Sequence, residues 1–309
     1  MSERRGFAAA LFFLCYNLYM EALNERIVVI YHGSCPDGFG GAYSAWKKFG
    51  DTAEYIPISY GNPKPEGLAD AHVYFIDCCY EKDVMDGIVA EAAHVTVLDH
   101  HEGTEAVVKT IPEFVYDANR SGTTIAWQYF HPDIPTPQLL KYVEDDDLFR
   151  FTLPDTKAVL SYIAIRPYVF EDWDALVTEL EDPQSREAFL IKARTYAEYF
   201  QLLAEQAADH VKFVKFEGYE VGFANAHPHK TMKSRVGNLL AKKYPPFALV
   251  VSAHPKGYGI SIRGDGSVDV SEIARKYGGN GHPNSSGFVI PADGKMPWEL
   301  IEKDETPGD

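Results

Sequence analysis

Three short runs rich in β-branched residues constrain this chain more than any other feature: Arg26–His32 (RIVVIYH), Val73–Asp77 (VYFID) and His94–Leu98 (HVTVL). Each is followed by polar or Gly/Pro residues and then by a helical pattern, the first of which is Gly38–Phe49. A run that is apolar on both faces suits a strand buried on both sides. Strands alternating with helices imply a parallel sheet with helices on both faces. In such α/β folds, functional residues gather at the carboxyl ends of the strands. His32, Asp77 and the triplet Asp99-His100-His101 all fall at such ends.

From Ser121 to about Glu205 the pattern is mostly helical, with a long stretch rich in Ala, Leu, Glu and Lys that reads as a connecting helix. A second α/β pattern follows. Its strands are expected near Val211–Phe216, Tyr219–Ala224, Phe247–Ser252 and Gly259–Ile262, and its helices around Ser234–Lys243 and Val270–Tyr277. A chain of 309 residues has room for two domains. The expected division is an N-terminal extension over 1–22, a first domain over 23–185, a connecting helix over 186–210 and a second, smaller domain over 211–309. The polar tail after Pro291 reads as frayed.

The N-terminal extension carries two arginines and then a mostly apolar run from Phe7 to Met20. Three readings fit it: an export signal, a helix packed on the body or on a partner subunit, and a true start at Met20 rather than Met1. Polar interruptions and the lack of a small-x-small cleavage site weigh against export. No run reaches membrane length. The four cysteines, Cys15, Cys35, Cys78 and Cys79, form no CxxC pair, which suits a reducing cytoplasm better than a structural zinc site.

The formal net charge of −16 opposes binding to long duplex DNA but leaves room for a short phosphorylated ligand or for divalent cations. Strand ends supply His32, Asp37, Asp77, Asp99, His100 and His101, and Glu144–Asp147 (EDDD) adds carboxylates. Taken singly, a His-His pair is commonly structural, EDDD a solvated turn and a strand-end Asp a helix cap. Their coincidence at one sheet edge points instead to a site for Mn²⁺, Fe²⁺ or Zn²⁺, with room for a pair of ions. A second signal is Gly278–Gly287 (GGNGHPNSSG), which reads as a donor-rich loop of the phosphate-binding kind. Its Gly278, Gly279 and Gly281 free backbone N–H groups for an anion, His282 adds a donor, and Arg263 lies on a nearby strand.

These motifs resemble the DHH phosphoesterase superfamily, in the form that pairs a DHH lobe with a DHH-associated C-terminal lobe. The resembling segments are YHGSCPDGFGGA, YFIDCCY, VTVLDHHEG, DANRSGTTIAW, YVEDDDLFRF and GGNGHPNSSG, spread over roughly residues 26–290. The resemblance implies two Mn²⁺ ions held by His32, Asp37, Asp77, His100 and Asp145, with Asp77 bridging. It implies that Asp99 orients its neighbours and that His101 approaches the scissile phosphate. Arg263, Gly278, Gly279, Gly281 and His282 would hold the substrate's end. Cys35 stands where the first motif of the family usually offers an aspartate, either as a softer ligand favouring zinc or iron or as a thiol beside a weakly held ion.

The implied activity is that of an exonuclease-type phosphodiesterase, or oligoribonuclease, that hydrolyses short oligonucleotides or dinucleotides to nucleoside monophosphates through a metal-activated water. The alternatives are a phosphoanhydride hydrolase acting on pyrophosphate, polyphosphate or a nucleotide alarmone, and a non-catalytic nucleotide sensor. Arg120, Arg235, Lys256 and Arg263 are candidate basic contacts. A homodimer is compatible with this reading, and a membrane partner is not expected.

Overall fold

The computed structural model describes residues 26–302 apart from Ser34, Tyr60 and Ile165, and the Lys230 side chain is likewise not described. The N-terminal extension, with Cys15 and both candidate starts, and the last seven residues lie outside the described residues. The chain divides into two compact units, whose boundary falls between Ile191 and Lys192.

In the first unit, β1 (Arg26–His32), β2 (Glu54–Ile58), β3 (Ala71–Ile76), β4 (His94–Asp99) and β5 (Glu113–Tyr116) form one sheet in the order β2-β1-β3-β4-β5. Every neighbouring pair is parallel. The doubly apolar runs are explained by helices on both faces. On one, Val28, Ile30, Val73, Phe75, Val95 and Val97 pack against Met85 and Ile88 of α2 (Lys82–Glu91). On the other lie α1 (Pro36–Phe49) and, after the short α3 (Glu105–Val108), α4 (Gly122–Phe130). Burying each such side chain stabilises the sheet by about 1.5–3 kcal/mol relative to exposing it. The order reverses between β1 and β3, so their carboxyl ends open onto the crevice where doubly wound sheets bind ligands. His32 ends β1, Asp77 follows β3 and Asp99 ends β4. The rest of the unit is helical: α5 (Gln138–Asp147), α6 (Thr156–Ile163) and α7 (Phe170–Glu181) lead into α8 (Pro183–Asp209), which crosses the unit boundary.

The second unit holds a seven-stranded sheet in the order β10-β11-β9-β8-β7-β6-β12. Its strands are β6 (Lys212–Phe216), β7 (Tyr219–Asn225), β8 (Phe247–His254), β9 (Gly257–Gly264), β10 (Asn280–His282), β11 (Ser285–Pro291) and β12 (Glu299–Ile301). Only β7 and β8 pair in parallel, through the crossover helix α9 (Lys230–Lys243). Val236 and Leu240 of α9 cover one face of the sheet with Ala248 and Val250, while Val270, Ile273 and Ala274 of α10 (Val270–Lys276) cover the other.

Two expectations need correction here. The glycine segment is not an open loop, because Asn280–His282 turns back on Ser285–Gly287 as a hairpin at the sheet edge. The tail after Pro291 is not wholly frayed, because Glu299–Ile301 pairs with β6. Among the described residues, no helix is long and apolar enough to cross a membrane.

Candidate metal centre

Asp77 lies at the middle of a cluster of donors at the carboxyl edge of the first sheet. It is 3% exposed, and its backbone takes a left-handed conformation (φ 58°) immediately after β3. An Asp tolerates that region better than most side chains. One carboxylate oxygen, Oδ2, lies 3.3 Å from His32 Nδ1 and 3.3 Å from Cys35 Sγ. The other, Oδ1, lies 3.2 Å from His100 Nε2 and 3.7 Å from His101 Nδ1. The same His100 nitrogen is 3.6 Å from Asp37 Oδ2 and 3.5 Å from Asp147 Oδ2. Three sets of ligand-type atoms result, each with its atoms within 4.8 Å of one another: His32-Cys35-Asp77, Asp37-His100-Asp147 and Asp77-Asp99-His100-His101.

Electrostatics fit a cationic occupant. Burial pushes the Asp37 carboxyl well above its usual range, and the neighbouring charges of Asp77 and Asp147 push it further. Burial likewise opposes ionisation of Asp77, but hydrogen bonds with His100 and His32 outweigh it and hold the carboxyl below the usual range. The Cys35 thiol is pushed up by burial and then by Asp77 and Asp37. Crowded carboxylates with three imidazoles and a thiol form a donor set suited to divalent cations.

Local sequence explains how each donor is placed. Asp37 sits in the first turn of α1, and its carboxylate is held by the N-terminus of α4. Gly122 N–H donates to Oδ2 at 2.7 Å, and Thr123 N–H donates to Oδ1 at 3.0 Å. That helix start is set by Ser121, whose hydroxyl caps Thr124 N–H and whose own N–H donates to Glu144 at 3.1 Å. Gly122 has to be glycine, since a Cβ there would meet Asp77 Cβ at 2.7 Å.

Asp99 is wholly buried and organises the triplet. Its Oδ1 accepts from the N–H groups of His100 (2.8 Å) and His101 (3.3 Å) and from His101 Nδ1 (2.8 Å). Its Oδ2 accepts from Thr104 Oγ1 at 2.6 Å, a partner that sequence reading passed over. That carboxylate raises the His101 imidazole to about 9, against the opposing effect of burial. The His101 side chain is 46% exposed.

The structure separates the members of EDDD. Asp147, not the expected Asp145, reaches His100. Asp145 turns into the chain that follows α5, where it accepts from Thr152 N–H and Oγ1 (both 2.8 Å), Leu153 N–H (3.2 Å) and Thr156 Oγ1 (2.5 Å). Residues two apart on a helix point about 200° apart, so the two carboxylates cannot serve one site. Glu144 binds Arg120 at 3.0 Å and Arg150 at 3.3 Å, which commits Arg120 to holding the segment before α4. Arg235 is likewise engaged, donating to Gln201 at 3.1 Å.

In the second unit, register places Arg263, Ser285 and His282 in one row across β9, β11 and β10. Arg263 is 8% exposed. It donates to Ile262 O (2.9 Å) and Ser234 Oγ (2.7 Å), and burial pushes its guanidinium down. His282 is exposed. The glycines of this segment have a steric reason: a Cβ on Gly279 would strike Gly287 O, and one on Gly281 would strike the Ser286 backbone. Gly281 also has a positive φ of 147°.

Residues 221–302 match the model of the DHHA1 domain. An uncharacterized protein of Acanthamoeba polyphaga mimivirus is 26% identical over 305 residues, covering 89% of this chain and 70% of the viral protein. Among solved structures, the DHH domain of a protein described as a member of the s1p family of ribosomal proteins superposes with a TM-score of 0.57. It is 11% identical and covers 85% of this chain and 82% of its own. A pGpG-specific phosphodiesterase from Vibrio cholerae is 13% identical, with a TM-score of 0.48 and coverage of 86% and 94%.

Proposed function

We propose that this chain, whose residues 221–302 match the DHHA1 domain and whose fold is similar to that of a DHH domain, is a metal-dependent phosphoester hydrolase of the DHH superfamily. Its substrates are short oligonucleotides or dinucleotides, and its products are nucleoside monophosphates. The observation that carries this reading is the position of Asp77, whose two carboxylate oxygens face separate groups of donors.

His32, Cys35, Asp37, Asp77, His100 and Asp147 would hold the cations. When bound, such a pair makes a water acidic enough to attack phosphorus at neutral pH and neutralises charge on the phosphoryl oxygens. The chain's own contribution is positioning. Asp37 is fixed by the α4 N-terminus, and Asp99 holds the His101 ring by its Nδ1–H. Asp99 favours the protonated His101 imidazole, which in that form can donate to a non-bridging oxygen as negative charge develops there. Arg263 and the β10–β11 hairpin are the proposed contacts for the terminal phosphate or nucleotide. A net charge of −16 favours a short ligand held by local contacts over a long duplex.

The test is hydrolysis of a 5′-phosphorylated RNA dinucleotide with Mn²⁺, with products separated by chromatography and Asp77→Ala as control. Pyrophosphate and a cyclic dinucleotide are run in parallel. Monophosphate from the linear dinucleotide, lost in the variant, supports the proposal. Turnover of pyrophosphate alone would replace it with phosphoanhydride cleavage, and no turnover at all would leave a binding protein.

A further inference from the structure

The two sides of Asp77 differ in kind. Around His100 Nε2 stand oxygens of Asp37, Asp77 and Asp147, one imidazole among three carboxylates. On the other side, Asp77 Oδ2 meets an imidazole and a sulfur, His32 Nδ1 and Cys35 Sγ, which are themselves 3.1 Å apart. Carboxylate-rich sites suit magnesium and manganese, whereas thiolate with imidazole suits zinc and iron.

We infer that the ion pair of this chain is chemically asymmetric: His32, Cys35 and Asp77 hold a zinc-class cation through a sulfur ligand, while Asp37, Asp77, His100 and Asp147 hold a magnesium- or manganese-class cation. The inference rests on the metal-dependent reading proposed above and adds the identity of each ion.

A second observation concerns the sulfur itself. Cys35 is the N-cap of α1 and accepts the Gly38 N–H at 3.3 Å. That N–H favours an anionic sulfur, whereas burial and the charges of Asp77 and Asp37 push the free thiol up. Capping alone does not explain a cysteine here, because Ser, Asp, Asn or Thr would cap more strongly. The neighbouring thiols do not share the site. Cys78 Sγ turns to Ile30 O at 3.7 Å and Cys79 Sγ to Tyr80 O at 3.4 Å. Among the described cysteines, Cys35 alone has its sulfur against ligand-type atoms of the cluster.

The experiment titrates the full chain, kept reduced by a phosphine, with Co²⁺ and follows absorbance, with bound cobalt measured by dialysis. The expected result is an intense sulfur-to-cobalt charge-transfer band in the near ultraviolet. It is retained in Cys78→Ala and lost in Cys35→Asp, which still binds cobalt. Loading from an equimolar mixture of Zn²⁺ and Mn²⁺ is then expected to leave the two metals in equal proportion in the wild type and mainly manganese in Cys35→Asp. Cobalt bound to the wild type without the band, or mixed loading that gives a single metal, overturns the asymmetry while leaving the metal-dependent reading intact. Failure of the wild type to retain any cobalt overturns both. The wild-type spectrum decides the matter even if Cys35→Asp does not fold, and Cys35→Ser serves as the second variant.

Discussion

Gly122 donates its backbone N–H to Asp37 Oδ2 at 2.7 Å and leaves no room for a side chain between α4 and Asp77. A helix N-terminus thus holds one cluster carboxylate while touching the central one. Gly122→Ala would have to shift either Asp77 or the start of α4. A misplacement of about 1 Å in a catalytic constellation costs on the order of 10²-fold in rate. Steady-state assays should show that loss with the far-ultraviolet circular dichroism unchanged. Full activity in Gly122→Ala would mean that the cluster does not depend on this close approach.

Asp145 and Asp147 should separate cleanly by variant. Asp147→Ala is expected to weaken Mn²⁺ binding and activity and to leave stability almost unchanged, since the residue is partly exposed at the end of α5. Asp145→Ala strips the acceptor from Thr152 and Thr156 and should cost about 1–3 kcal/mol in urea unfolding. The opposite pattern would return the ligand role to Asp145.

His101 gives a pH signature in the metal-free protein. Its value of about 9 stands above the ordinary 6.5 because Asp99 accepts its Nδ1–H. The stabilisation from this pair is therefore fully present below about pH 6.5 and is lost as the pH rises through about 9. Asp99→Asn should move the His101 titration, followed by NMR, back toward the ordinary value. An unchanged titration would remove Asp99 as the cause.

Arg263 is buried, with Ser234 and a backbone carbonyl as its hydrogen-bond acceptors. Arg263→Met keeps most of the volume and removes the charge. Since hydrogen bonds to charged groups contribute about 1.5–3 kcal/mol, KM for the dinucleotide should rise roughly 10- to 100-fold with kcat less affected. An unchanged KM would place the substrate's end elsewhere.

Much of the first unit was legible because buried parallel strands carry long β-branched runs, and their ends display His32, Asp77 and Asp99 directly. The edge strands were not. Glu54–Ile58 contains Pro57, and Glu113–Tyr116 has four residues, three of them exposed. Glycines hid the β10–β11 hairpin, since a residue chosen for close backbone approach looks the same in sequence as one chosen for flexibility. Within EDDD the resemblance points to Asp145, whereas helical phase points to Asp147. Leu140, Val143 and Asp147 stand at i, i+3 and i+7 on α5, a spacing that puts Asp147 on the face of those two core residues. The support of Asp37 by Gly122 and Thr123, 85 and 86 residues away, has no local signal at all.

The most direct test of the central claim is divalent-cation binding by calorimetry in the wild type and in Asp77→Asn, with folding of both checked by circular dichroism. If Asp77 joins two cation positions, the wild type binds a pair of ions and the variant loses measurable binding at both. A wild type that binds no cation, or an Asp77→Asn protein that binds like the wild type, would contradict it.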